Sequence, residues 1–280
     1  LFDHVIGGTP LLPGVLGVEL MAQTAALLLP GLKFAGLSDL RLHLAVKILR
    51  GRPVPLRIEA TALTPGDPET ARVAVRVVSD FASESGAVIV RDRCHFEATL
   101  HLARHLPERV RATASAAGSG AQAVVRTASE IYGGAMLPHG PRFRVLHEFR
   151  MSNGTGAVGV LARIDEHSAL SLPCDATLHT IPFLREATFQ TAGLWELFSG
   201  RTWGLPHACR SIEHFGAPRP GERLLSVVAP VLGPDGQTEY GIELVGEDGL
   251  VYDRAYGYRT LGPDAVSDET VEESAERKGL

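Results

Sequence analysis

The sequence predicts an α+β protein built from two similar halves, each a buried helix with a series of antiparallel strands. Three observations carry that prediction. Residues 14–29 are almost wholly apolar, with Glu19, Gln23 and Thr24 the only polar interruptions before Pro30-Gly31, the pattern of a helix buried on nearly all sides. Segments of alternating apolar and polar residues follow it, such as Leu40, Leu42, Leu44 and Val46, as half-buried strands require. Finally, Glu19-Leu-Met-Ala-Gln23-Thr24-Ala25-Ala-Leu27 aligns with Glu186-Ala-Thr-Phe-Gln190-Thr191-Ala192-Gly-Leu194 at a constant offset of 167 (186 − 19), with five identities in nine residues, so the chain reads as an internal duplication.

Pro13 suits the first turn of the helix, where its missing N–H is harmless, and Pro30-Gly31 cannot continue it. At sixteen residues (14–29) the run is short for a bilayer, and it lacks the flanks of a signal peptide. Strands are then expected at 39–50, 56–63, 71–79 and 87–102, completing a first module over 1–106. Residues 107–125 are rich in Ala, Ser and Gly without a period and read as a mobile linker. The second module, 126–263, should hold a short helix at 128–133, strands at 144–151 and 157–164, an apolar helix opening at Asp175, and strands at 207–215, 224–231, 238–245 and 250–261. Gly233-Pro-Asp-Gly236 and Glu247-Asp-Gly249 supply turns between the last of these. Pro182 is expected to kink or shorten the second helix. Residues 264–280 form a polar, acidic tail.

A net charge of −5 over 280 residues leaves no basic footprint, so neither nucleic acid nor an anionic membrane is an expected partner. Cys94, Cys174 and Cys209 are odd in number and widely spaced, which argues against a disulfide framework or a zinc knuckle and fits a cytoplasmic protein. The chain begins at Leu1 and runs directly into its first motif, as a piece of a longer polypeptide would. Gly154-x-Gly156-x-x-Gly159 matches a dinucleotide fingerprint, but a strand-like run follows it instead of a helix, so a hairpin is expected. No G-x-S-x-G or H-E-x-x-H is present. His101 and His105 lack a third ligand at a recognisable spacing and read as surface residues, and Cys174 reads as an inert buried thiol.

The N-terminal stretch spells His4-x-x-x-Gly8-x-x-x-x-Pro13 and resembles the first motif of polyketide synthase dehydratase domains. Pro13-Gly14-Val15-Leu16 and the Glu19–Gln23 run are also similar to the helix of stand-alone hydroxyacyl-carrier-protein dehydratases. Asp175-x-x-x-His179 resembles the second motif of the family, an Asp followed four residues later by Gln or His. Leu137-Pro138-His139-Gly140-Pro141-Arg142-Phe143 resembles its Tyr-Gly-Pro-x-Phe signature, with Tyr132 upstream and His139 where a tyrosine is usual. The resemblance implies a double hotdog, two helices each wrapped by a curved antiparallel sheet, with a site where the halves meet.

It also implies a reaction, removal of water from a 3-hydroxyacyl thioester carried on the phosphopantetheine arm of an acyl carrier protein. That chemistry requires a base for the C2 proton, an acid for the leaving hydroxyl and donors for charge on the thioester oxygen. His4 would be the base and Asp175, protonated in an apolar tunnel, the acid. His179 would hold Asp175, being one helical turn away. Gly8 and the helix start at Gly14 would offer backbone N–H groups to the thioester, and Tyr132, His139, Gly140, Pro141 and Phe143 would line the substrate. No metal or other cofactor is called for. Expected partners are the carrier protein, other domains of the same megasynthase and a second copy of the chain. A cyclase of the product-template kind, using the same pair, and an inactive hotdog kept for dimerisation or docking are the competing readings.

Overall fold

The computed structural model describes residues 2–63, 68–82, 88–113, 123–134, 136–152, 156–164, 166, 170, 177–219 and 221–262. Its first central helix, α1 (Gly14–Leu28), follows Pro13, whose φ of −60° and ψ of 141° set the entry of the chain. Val15, Val18, Met21, Ala22 and Ala25 are buried along it. Two glycines let α1 lie close to the sheet: a Cβ on Gly14 would stand 2.6 Å from the Leu42 side chain, and one on Gly17 2.6 Å from the Phe96 ring.

Four strands accompany α1: β3 (Lys33–Leu42), β4 (Arg57–Ala62), β5 (Thr70–Ala82) and β6 (Val88–Ala103), after a small hairpin of β1 (Val5–Ile6) and β2 (Thr9–Pro10). The second half contributes β7 (Ala123–Thr127), α2 (Ala128–Gly133), β8 (Leu146–Ser152), β9 (Gly156–Leu161), the second central helix α3 (Pro182–Phe198), and then β10 (Leu205–His214), β11 (Leu225–Leu232), β12 (Thr238–Val245) and β13 (Val251–Leu261). The α+β, double-hotdog expectation holds, with one addition. Both halves share a single eleven-stranded sheet in the order β4-β5-β6-β3-β10-β13-β12-β11-β9-β8-β7.

The halves are joined by antiparallel pairing of β3 with β10, including Leu40 opposite Cys209 and Gly36 opposite Glu213. Gly36 has φ +149°, and a Cβ there would lie 2.2 Å from the Ile212 carbonyl oxygen. Glycine is therefore required where the halves meet.

Several boundaries differ from those expected. The first strand begins at Lys33 and leaves the sheet after Leu42, with Asp39 at φ +56° where its register against β6 shifts. Residues 43–48 instead return to the N-terminal hairpin, with Leu12 N–H on the Val46 carbonyl at 3.0 Å and Ile48 N–H on the Pro10 carbonyl at 2.9 Å. Part of the expected linker is bound. Val251 N–H donates to the Val110 carbonyl at 2.9 Å, Arg109 pairs with Asp248 at 2.6 Å, and Ala123–Thr127 is a strand. Residues 114–122 and the tail lie outside the described residues. Residues flanking Asn153–Thr155 form the antiparallel pair β8 and β9, closing at Ser152 opposite Gly156, so no helix follows this glycine run.

The second central helix begins later than the sequence suggests. Pro182 occupies its first turn instead of interrupting it, because an N–H missing there leaves no bond unmade. His179 consequently precedes α3 and is not on a helix with Asp175, which lies outside the described residues. From Pro182 to Glu196 every residue of α3 is buried, and its charged side chains find partners inside. Arg185 makes two 2.9 Å bonds to Asp253, which also accepts from His214 Nδ1 at 3.0 Å, and Glu196 accepts Gly204 N–H at 3.0 Å and the Tyr240 hydroxyl at 2.8 Å.

Two outcomes follow from this framework. Gly36→Ala should lower stability by about 2 kcal/mol or more, a loss of several degrees in Tm by calorimetry, whereas Gly262→Ala, with nothing within 4 Å of its Cβ, should leave Tm unchanged. The second concerns Glu166, which accepts Leu184 N–H at 3.1 Å. Its burial pushes the carboxyl up from 4.5 to about 8, against the pull of that bond and of Arg185. The folded state thus binds the proton more tightly than the unfolded chain, and stability present below pH 4.5 is lost as pH rises to about 8. Glu166→Gln should remove that slope in Tm against pH and gain most at pH 8 and above.

Candidate active site

Gly7 and Gly8 form the two-residue turn between β1 and β2, at φ +57° and +81°, a primed hairpin turn that residues with side chains adopt at a cost. The hairpin returns the chain so that Leu11 N–H donates to the His4 carbonyl at 3.0 Å. His4 Nδ1 lies 3.3 Å from the Leu11 carbonyl oxygen. A proton on Nδ1 satisfies that contact and leaves Nε2 with a lone pair for the cavity.

From the second half, residues 137–143 close on this hairpin. His4 and His139 form an isolated antiparallel bridge, and Gly140 N–H donates to the Asp3 carbonyl at 2.7 Å. A Cβ on Gly140 would stand 2.8 Å from the Asp3 Cα, so glycine is needed for the two segments to touch. Pro141–Phe143 is a single 3-10 turn. It sets the Phe143 ring 5.4 Å from His4 and 4.9 Å from Phe183. Arg144 Nε donates to the His139 carbonyl at 3.2 Å, further fixing that residue.

The carboxylate facing these imidazoles is Glu186 of α3. His139 Nε2 lies 3.4 Å from Glu186 Oε1, and one ring nitrogen or carboxylate oxygen from each of His4, His139 and Glu186 lies within 4.8 Å of the other two. Gln190, one turn along, donates to Glu186 Oε1 at 3.0 Å and to the Phe143 carbonyl at 2.9 Å. Tyr132 holds Gln190 in turn, donating to its Oε1 at 2.7 Å while accepting Leu146 N–H at 2.9 Å. Burial pushes the Tyr132 phenol well up, so it remains a donor.

Burial lowers the pKa of the His4 imidazole, and nearby His139 adds to this against the opposing attraction of Glu186. His4 is therefore neutral near neutral pH, as a base must be. Burial alone would raise the Glu186 carboxyl, but the His139 hydrogen bond and the two imidazoles outweigh it and hold the group below the usual carboxylate range. The cavity beside the cluster is walled by Leu42, Phe96, Phe189, Leu205 and Tyr258, with Gly14 at the start of α1 on its border. The first N–H groups of a helix have no carbonyl partner four residues back within it.

The structure thus brings together His4, Gly14, Tyr132, His139, Gly140, Pro141 and Phe143, with Gly8 and Pro13 shaping the segment that presents His4. His179 is elsewhere, half-buried, its backbone N–H on Glu19 Oε1 at 3.0 Å. Glu186 and Gln190 are functional candidates that sequence reasoning misses. Their signal is present all the same: Glu186-x-x-x-Gln190 has the spacing of the second motif with Glu for Asp, although by pattern it reads only as a repeat of Glu19-x-x-x-Gln23.

No family model matches the chain. A curated relative, a polyunsaturated fatty acid synthase subunit of Thraustochytrium sp., is 25% identical over 255 residues, which are 90% of this chain and 9% of that protein. Among solved structures, a trans-AT polyketide synthase dehydratase domain from Brevibacillus brevis superimposes with TM-score 0.68 at 18% identity, covering 93% of this chain and 89% of the other. The dehydratase domain from the CurF module of the curacin polyketide synthase gives 0.67 at 16% identity over 93% and 87%. The dehydratase domain of a mycocerosic acid synthase-like polyketide synthase gives 0.65 at 20% over 93% and 86%. With its two wrapped helices, shared sheet and site at the junction of the halves, the chain has the double-hotdog fold of polyketide synthase dehydratase domains.

Proposed function

We propose that this chain removes water from a 3-hydroxyacyl thioester, delivered on the phosphopantetheine of an acyl carrier protein, to give the enoyl thioester within a polyketide or fatty-acid-like synthase. The observation that carries the reading is the cluster of His4, His139 and Glu186 at the edge of an apolar cavity. The solved dehydratase domains of the same fold support it. So does the curated relative, a much longer synthase protein of which the chain spans 9%.

His4 Nε2 takes the C2 proton. Negative charge growing on the thioester oxygen is met by N–H groups at the start of α1, where the helix dipole favours it. Glu186 delivers a proton to the C3 hydroxyl, which departs as water. The resting carboxylate must first be protonated. A bound acyl chain displaces water from the cavity and so penalises the charge on Glu186, and His139 at 3.4 Å gives the proton a direct route. Gln190, fixed by Tyr132 and the Phe143 carbonyl, keeps the carboxylate aimed at the substrate. His139 is thus a partner of the acid.

Mass spectrometry of a 3-hydroxyacyl carrier protein incubated with the chain should show loss of one water. His4→Ala and Glu186→Gln should each slow it by about 10²–10⁴-fold, and Asp175→Asn should leave it largely intact. The opposite result for the two carboxylates would move the acid role to Asp175. No water loss with several acyl lengths and both C3 configurations, in folded protein, would overturn the dehydratase reading. Tyr132→Phe leaves Leu146 N–H and Gln190 Oε1 unpaired. It should lower unfolding free energy in urea by about 1–3 kcal/mol and reduce kcat more than it changes KM.

A further inference from the structure

We propose that His4, His139 and Glu186 also form a binding site for a divalent transition-metal ion, best matched by Zn²⁺, which takes the place of the reacting end of the acyl chain and blocks the site. The blocking part rests on the dehydratase reading; the binding part does not.

Two imidazoles and one carboxylate are the ligand set that zinc accepts where a fourth position stays open. One ligand atom from each already lies within 4.8 Å of the other two, and His139 Nε2 is 3.4 Å from Glu186 Oε1. At metal–ligand lengths of about 2.0–2.2 Å, tetrahedral ligands sit roughly 3.4 Å apart, so small side-chain rotations complete the approach. The outer contacts that orient metal ligands are present as well. His4 Nδ1 faces the Leu11 carbonyl at 3.3 Å, and Gln190 steadies Glu186 at 3.0 Å. His139 Nδ1 is buried with no hydrogen-bond partner among the described residues, so turning this ring toward an ion breaks no bond there. The open fourth position faces the cavity that the substrate would use.

A second group, His43, Cys94 and Glu97, lies at the surface and could also take zinc. The test therefore uses the whole chain carrying Cys94→Ser. Calorimetric titration with Zn²⁺ should find one ion per chain with a dissociation constant in the micromolar range or below. Co²⁺ should give visible bands without thiolate charge transfer. His139→Tyr, which keeps a donor beside Glu186 but removes the ligand nitrogen, and His4→Ala should each weaken binding by at least about tenfold, with folding checked by circular dichroism. Zn²⁺ should also slow water loss in competition with the acyl carrier substrate. No binding, or binding unchanged in both histidine variants, overturns the site. Binding lost in those variants without competition against substrate overturns the blocking role. Failure of dehydration in metal-free protein, with zinc still bound through these residues, would strike the dehydratase reading alone.

Discussion

Glu19 on α1 and Glu186 on α3 occupy equivalent places in the two halves, and both carboxylates are nearly inaccessible to water. A buried carboxylate must be given donors or protons, and much of the structure around the junction of the halves serves that demand. The duplication treats them alike within each helix. Gln23 donates to Glu19 and Gln190 to Glu186, both at 3.0 Å, while Thr24 and Thr191 each return a hydroxyl to the carbonyl one turn back, at 2.9 and 2.7 Å. The repeated residues thus build a repeated local geometry, and coincidence among helix formers would not reproduce its hydrogen bonds.

The candidate site depends on segments far apart in sequence being held in register. The hairpin at Gly7-Gly8 and the turn at Gly140–Phe143 meet through the His4 and His139 bridge. Residues 43–48 abandon the sheet to brace the hairpin from the other side. Because these contacts are backbone bonds, they hold the two segments in a fixed register. Shape and chemistry are coupled here: the glycines that permit close approach are the same ones that give the motifs their appearance in sequence.

Much of this was legible in the sequence. Apolar periodicity placed α1 to within a residue at its end, and alternation located the strands of the second half nearly as well, with Thr238–Val245 matching throughout. What failed did so for physical reasons. Alternation continues past Leu42 into residues whose partners are the hairpin rather than a strand, so a local pattern could not show where the sheet ended. Asp175-x-x-x-His179 has helical spacing, yet the residue before a proline is driven out of the helical region, and Ile181 sits at φ −121° and ψ 68°. With His179 outside the helix, its spacing from Asp175 no longer implies contact. The 167-residue repeat marks positions equivalent in depth of burial, with Glu19 and Glu186 both buried.

The same offset accounts for the different partners of these two carboxylates. Glu19 is satisfied by backbone and hydroxyl donors, His179 N–H at 3.0 Å, Thr180 N–H at 2.8 Å and the Thr180 hydroxyl at 2.6 Å. In the other half those positions are Leu12 and Pro13 (12 + 167 = 179; 13 + 167 = 180). Leu12 N–H is committed to the Val46 carbonyl at 3.0 Å, and proline has no N–H to give. Glu186 therefore lacks the fixed donors that neutralise its counterpart, and His139 and His4 stand against it instead. A fixed N–H can only hold a charge in place, whereas an imidazole can exchange a proton with it at neutral pH. Pro13 thus has two consequences: it starts α1, and it removes the donor that would have made Glu186 as inert as Glu19.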